Sequence, residues 1–347
     1  MLRFVTMLCL FGLITPALAG EASPPKDSPA PKLSSEKRER GIFKAGLANY
    51  LRNGQFDELE KAAATLIKDD PRYACGVSKL VDLYDVLDPA YPSGPDGPDA
   101  RVASFTAWDK ARPDSHWPKV GFSRVEAWRA YEARGTSRAS EVSQEQWEEH
   151  DRHIKLAMEW GKKALASDPG DPELFTHMIG LCRAAQCPRD QVDRWMAAAL
   201  AINPKFDAVF IPIANTLVPR WLGNPDAFVD FAEKASDDNK ALGNIAYARI
   251  ATVAMMIDGE DLRATYPRLS WDRIQDGLRQ IDKRYPGSTR TFHLLARFAS
   301  LYGDRAVARE AFAKLKTGWR ADADYWGRFD AFQRAYVWAM DEPPGPF

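Results

Sequence analysis

Apolar residues recur at spacings of three and four along most of the chain, and clusters of Gly and Pro interrupt the pattern at intervals. This spacing places apolar side chains on one face of an α-helix. No convincing stretch alternates β-branched and polar residues as a half-buried strand would. The pattern therefore predicts an all-α fold.

Two stretches that end at Pro169 and Pro204 repeat each other at an offset of 35 residues. The first reads Ala-Leu-Ala-Ser-Asp-Pro and the second reads Ala-Leu-Ala-Ile-Asn-Pro. The offset is close to the tetratricopeptide period of about 34 residues. Proline cannot continue a helix, and it pushes the preceding residue, here Asp168 or Asn203, into extended backbone. We expect each proline to end the second helix of a helix pair.

The same pattern predicts further helix pairs at 48–52 with 56–68 and at 291–302 with 306–316, each with a Gly-containing turn between its helices. The repeats are degenerate and irregularly spaced. In a solenoid each unit packs only on its neighbours, so the chain need not build one large core. We predict an α-α superhelix of roughly four to six helix pairs in a single domain over residues 37–340.

One long Pro/Gly-rich connection is predicted at 88–113. Pro89, Pro92, Pro95 and Pro98 recur there at every third residue. A polyproline II helix has three residues per turn, so the four rings would share one edge, to which an aromatic groove could dock. The alternative is an ordinary surface loop, since two glycines loosen the segment.

The N-terminus has the layout of a secretory signal peptide. A basic residue precedes a short apolar run, and small residues at Ala17 and Ala19 suit cleavage before Gly20. We predict a signal peptide at 1–19, a disordered Pro-rich leader at 20–36, and a soluble periplasmic or secreted mature chain.

Several short segments in a fixed order resemble one bacterial family. They are the Tyr-Glu-Ala-Arg-Gly stretch at 131–135, the Leu-Val-Pro-Arg-Trp-Leu-Gly stretch at 217–223, Tyr247-Ala248, Ser270-Trp271, Tyr285-Pro286 and Gly303-Asp304. Over about residues 45–316 the chain resembles exported tetratricopeptide-like proteins that are known only as a domain of unknown function, with Pro-Arg-Trp-x-Gly as the more specific element. The resemblance implies a helical-repeat fold and export, and it implies no activity or ligand.

The charge balance excludes some classes of partner, and the cysteine positions predict a disulfide. The chain has 47 basic and 48 acidic residues, so it lacks the basic surplus typical of nucleic-acid or anionic-lipid binding. No segment of the mature chain has about 18 consecutive apolar residues, and we expect no stable membrane insertion. Cys182 and Cys187 are close enough at a predicted helix end to form a disulfide, although two buried thiols are the alternative. Cys75 is expected to stay free and buried.

Arg220 and Trp221 are candidate partner contacts, since an arginine beside an indole offers a charged fork and a stacking face. The alternative is structural. Arg220 would then cap carbonyl groups or pair with a carboxylate, Trp221 would fill the space between helix pairs, and Gly223 would adopt a positive φ. Tyr131 and Arg134, from the other family-like stretch, are further candidates.

The predicted helix at 143–167 carries acidic residues together with His150 and His153, which share one face. Interleaved basic residues and the lack of a third ligand favour a solvated charged face over a metal site. His116, His177 and His293 are isolated, which favours surface or core roles over catalysis. The tryptophans that concentrate in 108–160 indicate either core packing or an aromatic-lined surface; they are Trp108, Trp117, Trp128, Trp147 and Trp160.

No motif indicates an enzyme, a metal or a cofactor: the phosphate loop, the metalloprotease helix, the nucleophile elbow and a Glu-Ser pair are all missing from the sequence. We predict a non-enzymatic module that holds a protein or peptide partner on its concave surface. The alternative is an envelope hydrolase that cuts glycan or peptide with carboxylates converging in the groove, and a small-molecule sensor is a third option. A deep acidic pocket would favour the hydrolase, and a shallow aromatic or charged groove would favour the module.

Overall fold

The computed structural model describes residues 35–91, 97–168, 170–221, 223–315, 323–327 and 329–341. In these ranges the chain is helical and contains no strand; an isolated antiparallel bridge joins Arg72 to Ser78. The helices are α1 (Ser35–Arg52), α2 (Phe56–Asp69), α3 (Leu80–Leu87), α4 (Gly97–Ala111), α5 (Trp117–Arg134), α6 (Gln144–Ser167), α7 (Pro172–Ala185), α8 (Arg189–Ile202), α9 (Phe210–Leu217), α10 (Pro225–Asp238), α11 (Asn244–Asp258), α12 (Leu262–Thr265), α13 (Trp271–Arg284), α14 (Thr289–Tyr302), α15 (Arg305–Lys314), α16 (Ala323–Trp326) and α17 (Phe329–Met340).

Helices that are consecutive or nearly consecutive along the chain pack against each other, as in a helical solenoid, and the all-α prediction is confirmed. Short 3-10 turns at Ala139–Glu141, Asp207–Val209, Pro219–Trp221 and Gly259–Asp261 separate some of them. The predicted helix pairs correspond to α1 with α2 and to α14 with α15. The main difference is that α1 begins at Ser35 rather than at residue 48.

The prolines of the repeat end helices as expected. α6 ends at Ser167 and α8 at Ile202, and the residue that follows each helix is extended, with φ −150° at Asp168 and −136° at Asn203. Because α6 and α8 end alike, they are the second helices of successive pairs, and α7 is the first helix of the later pair.

Prolines also begin two helices. Pro172 and Pro225 occupy the first position of α7 and α10, where a backbone N–H would have no partner inside the helix. The residue before each proline is an N-cap: the side chain of Asp171 accepts from two backbone N–H groups and that of Asn224 from one. Asp-Pro and Asn-Pro therefore mark both ends of helices in this chain.

The predicted connection at 88–113 was wrong, because it contains α4. Val102 and Phe105 lie three residues apart, Trp108 follows at the same spacing, and both aromatic rings are fully buried. The apolar face outweighs the loop-like composition, and Pro98 is tolerated because it lies in the first turn. Pro89 lies in a turn closed by the N–H of Tyr91. Pro89 and Pro98 therefore do not share a polyproline II helix, and the rest of the predicted proline edge, residues 92–96, lies outside the described ranges.

The start of α1 shortens the predicted leader. Ser35 and Glu36 belong to the helix. Glu36 is buried, and its carboxylate accepts a hydrogen bond from the Ser288 hydroxyl of the chain segment before α14. The predicted signal peptide at 1–19 and the leader up to residue 34 lie outside the described residues.

Residues 70–79, which connect α2 to α3, pack against helices far along the chain. The carbonyl oxygen of Cys75, a free buried cysteine, accepts a 2.5 Å hydrogen bond from Arg249 of α11. At Gly76 a Cβ would lie 2.8 Å from the ring of Tyr285, which follows α13. The connection between α2 and α3 therefore contacts the C-terminal half of the chain.

Asp207 joins these two parts of the molecule electrostatically. Its carboxylate accepts from Arg249 at 2.7 Å and from Arg72 at 3.2 Å, and all three side chains are buried. Burial opposes the ionised carboxylate, but the two guanidinium charges outweigh burial and lower the pKa of Asp207.

Gly277 allows α13 to approach α11 closely, because a Cβ there would fall 2.0 Å from the carbonyl oxygen of Asn244. We expect Gly277→Ala to lower the free energy of unfolding by about 1–3 kcal/mol through overpacking. Gly180→Ala is the matched control: no atom lies within 4 Å of its added Cβ. This control should raise stability by up to about 1 kcal/mol. Urea unfolding measures both, and equal effects would contradict the close approach.

Candidate functional site

A groove of about 580 Å³ lies between α6 and α8, a size common for ligand sites. The C-terminal turn of α7 forms its floor. Because α6 and α8 are both second helices, the groove opens on the opposite side of α7 from α3, which packs against that helix. The groove is lined by Trp147, His150, Asp151, Ile154, Lys155, Met158, Lys162, Arg183, Ala184, Ala185, Gln186, Cys187, Pro188, Gln191 and Trp195.

The floor is a continuous segment, 183–188, and a disulfide closes it. Cys182 and Cys187 are bonded with their Cα atoms 4.8 Å apart. Between them Gln186 adopts a left-handed conformation with φ 53°, and the carbonyl oxygen of Cys182 accepts from the N–H groups of both Gln186 and Cys187. The bridge and the two hydrogen bonds hold the end of α7 in one shape.

Aromatic and aliphatic side chains form the walls. Ile154 and Met158 lie one turn apart on α6, and Trp195 of α8 is partly buried against the core. Trp147 meets the imidazole of His150 edge to face, with ring centroids 5.4 Å apart. The walls therefore offer apolar contact beside polar groups, the mixture typical of binding sites.

Tyr131 and Arg134, two of the sequence candidates, lie behind the wall and do not line the groove. The ring of Tyr131 packs edge to face on His150, and the guanidinium of Arg134 lies over the indole of Trp147 at 5.8 Å. Burial raises the pKa of Tyr131 to about 12, against the opposing charge of Arg183.

Arg220 and Trp221 lie on the other side of Arg183. Arg183 and Arg220 are within cation–π distance of the Trp221 ring, at 5.8 Å and 5.3 Å. Arg183 thus links both pairs of candidates to the groove. Sequence reasoning did not single it out, although its position inside the Cys182–Cys187 turn was the available signal.

The expected positive φ at Gly223 was wrong, because this residue is not among the glycines with a left-handed backbone. Glycine is needed there for space: a Cβ would fall 1.8 Å from the carbonyl oxygen of Leu217. The Val218 carbonyl accepts from the N–H groups of Trp221 and Gly223 and closes the corner. Trp221 packs partly against the core, while Arg220 is exposed.

The solvated-face interpretation of α6 was wrong for its histidines. His150 and His153 are buried, and His153 makes a 2.5 Å contact with Glu126 of α5. Nδ1 of His150 contacts Asp151 at 3.0 Å, whereas its Nε2, inside the groove lining, has no hydrogen-bond partner. Across the described ranges, no group of three or more potential ligands is placed to hold a metal ion.

The other three histidines are buried as well. His116 contacts the N-cap carboxylate of Asp171, and His293 accepts from the indole of Trp326. His177 lies 2.8 Å from Ser123, but the serine hydroxyl donates to a backbone carbonyl and the pair is fully enclosed. Burial lowers the pKa of His177 to about 3, and this imidazole is neutral at neutral pH.

Two buried carboxyl groups near α3 and α7 have raised pKa values. Burial, reinforced by the charge of Asp82, raises the pKa of Asp85 to about 6. Burial also raises the pKa of Glu173 well above its usual range. The guanidinium of Arg124 opposes both shifts. Such shifts are common at catalytic sites, but neither carboxyl group lines the groove, and the side chains are 8% and 4% exposed.

No protein-family model matches the chain, and a search of curated proteins finds no match. No helix in the described part of the chain is long and apolar enough to span a bilayer.

Loss of the disulfide should loosen the groove floor. For a loop this short the chain-entropy model gives a loss of about 2 kcal/mol in the free energy of unfolding for a Cys182→Ser, Cys187→Ser double variant. Urea unfolding measures the loss, and reductant added to the wild-type protein should reproduce it. Coincident unfolding curves for the variant and the oxidised wild type would contradict this prediction.

Asp85 should make stability pH-dependent. Because its folded pKa of about 6 exceeds the unfolded value near 3.8, the folded state retains a proton that the unfolded state loses. The contribution to stability is present below about pH 4 and falls by up to about 3 kcal/mol as the pH rises through 6. The Asp85→Asn variant cannot ionise at this position. Its free energy of unfolding relative to wild type, measured by urea unfolding, should therefore rise as the pH increases from about 4 to 6. A pH-independent difference would contradict the shift.

Proposed function

We propose that this protein is an exported, non-enzymatic binding module that holds an extended peptide segment of a protein partner in the groove between α6 and α8. The proposal includes membership of the exported tetratricopeptide-like family that the sequence resembles. The partner then lies between the second helices of successive pairs, on the opposite side of α7 from α3.

A single observation supports the proposal most: Arg183 connects the groove to both stretches that the sequence singles out. It lies in the groove floor, its charge acts on Tyr131, and it is within cation–π distance of Trp221. Each of the two family-like stretches therefore supplies one aromatic side chain, Tyr131 or Trp221, that interacts with Arg183. Aromatic and arginine side chains are the usual anchors of protein interfaces.

The properties of the groove suit a peptide. Its floor is fixed by a disulfide, and a preformed floor reduces the entropy lost when a flexible ligand binds. Its walls carry two partly exposed indoles and aliphatic side chains, into which single side chains of a peptide can insert. On other parts of the helix stack, α3 packs against α5 and α7, and residues 70–79 contact α11.

The hydrolase alternative draws support from the raised pKa of Asp85 and Glu173. A carboxylic acid that stays protonated near neutral pH can act as a general acid. However, Glu173 is enclosed in the first turn of α7, where a substrate cannot reach it without unfolding of that turn. The groove is the better-supported site.

Peptide binding can be tested with a displayed random-peptide library panned on the wild-type protein. Enriched peptides are then measured against Trp195→Ala, which removes one wall of the groove. We expect affinity to fall about tenfold or more, as for an aromatic anchor in an interface. Fluorescence polarisation of labelled peptides gives the dissociation constants.

The matched control is Trp338→Ala. Trp338 is also a partly exposed indole, 38% exposed, but it lies on α17 and away from the groove. Its removal should leave peptide affinity unchanged. The proposal fails if the library yields no binders, or if the two variants affect the enriched peptides equally while both remain folded by circular dichroism.

A further inference from the structure

The charges around the groove do not balance. Its lining has Lys155, Lys162 and Arg183 as cations and Asp151 as its carboxylate. The carboxylate of Asp151 contacts Nδ1 of His150 at 3.0 Å rather than a lysine of the groove. The surplus is local, since basic and acidic residues nearly cancel over the whole chain.

The lysines are available to a ligand. Both are exposed, and neither ammonium group makes an ion pair or hydrogen bond within the described part of the chain. They lie seven residues apart on α6, so two helical turns bring them onto the same face, with Met158 between them. Glu159, on the same helix, does not line the groove.

Neighbouring charges are mostly satisfied in pairs. On α8, Arg189 bonds to Asp193 and Arg194 to Asp190; on α6, Arg152 bonds to Glu149. These pairs contribute little net charge to the surface. Asp151 lines the same groove, but neither lysine pairs with it or with any other carboxylate of the described chain.

A second layer of positive charge lies behind the wall. Arg134 is 2% exposed; its guanidinium donates to the carbonyl oxygen of Gly135, and no carboxylate of the described chain pairs with it. Burial lowers its pKa, which is the direction expected for a cation without a compensating anion. Nε2 of His150, inside the lining, is a further polar atom without a partner.

We propose that the groove selects acidic peptide segments: Lys155 and Lys162 bind the carboxylates of the peptide, and Ile154, Met158 and Trp195 receive an apolar side chain between them. This inference rests on the proposed function and specifies its ligand. Complementary charge increases the association rate and rejects basic competitors, while the apolar contact supplies affinity that a bare anion cannot gain.

Three synthetic peptides with one central Phe test the ligand chemistry. The first flanks Phe with Asp and Glu, the second with the uncharged isosteres Asn and Gln, and the third with Lys. Binding to wild type, measured by fluorescence polarisation, should weaken about tenfold from the first to the second, with none detected for the third. Added salt should weaken only the acidic peptide, because it screens exposed charges.

Charge reversal tests the protein side. Lys155→Glu, Lys162→Glu should weaken the acidic peptide by about tenfold or more and leave the uncharged peptide unchanged or tighter. Lys163→Glu is the matched control, because this lysine adjoins Lys162 but lies over the ring of Trp160, outside the groove. The control should bind like wild type.

The outcomes separate the two proposals. If peptides bind in a Trp195-dependent manner but the uncharged or basic peptide binds as well as the acidic one, the acidic selectivity is wrong and the peptide-binding function stands. If Lys163→Glu weakens binding as much as the double variant, the effect is general and the assignment to the groove lysines is wrong. If no peptide binds, the proposed function itself fails.

Discussion

Burial of α7 along most of its length is the constraint on which this structure depends. The helix packs against α3 on one side and between α6 and α8 on the other. A buried helix must satisfy its polar groups inside the protein, because water cannot reach them. The N-cap Asp171 therefore accepts from Tyr84 as well as from its own helix, and Ser123 partners His177. Within α7, Gly180 and the C-terminal turn are partly exposed.

The C-terminal turn of α7 both ends the buried helix and forms the floor of the groove. Small residues let α6 approach α7 closely: at Gly161 a Cβ would fall 2.2 Å from the sulfur of Met178. Near the end of α7 the chain must turn back into α8, and the disulfide fixes this turn while α6 and α8 stand apart on either side. The groove is thus the space left where two second helices flank the end of one buried first helix.

Burial also separates the ionisable groups by role. Where cations face a buried carboxylate, as Arg72 and Arg249 face Asp207, the pair stays charged and joins distant parts of the chain. Where burial and a neighbouring carboxylate outweigh the opposing cation, as for Glu173, the raised pKa of the carboxyl group favours its neutral form. The groove differs from both cases, because its lysines are exposed to solvent. Buried polar groups therefore support the fold, whereas the exposed lysines of the groove take part in no ion pair of the described chain.

The sequence by itself determined the all-α fold and several helix ends. Apolar spacing and the Asp-Pro and Asn-Pro elements act within a few residues, so α6, α7 and α8 could be placed without knowledge of the rest. Residues 97–111 were misjudged because local composition favoured a loop, whereas burial of Phe105 and Trp108 against distant helices favours α4. Only the tertiary structure decided that residues 70–79 reach α11 and that Arg183 joins the groove to Tyr131 and Trp221. Those contacts depend on how helices cross, and crossing is set by the packing of side chains from many separate segments at once.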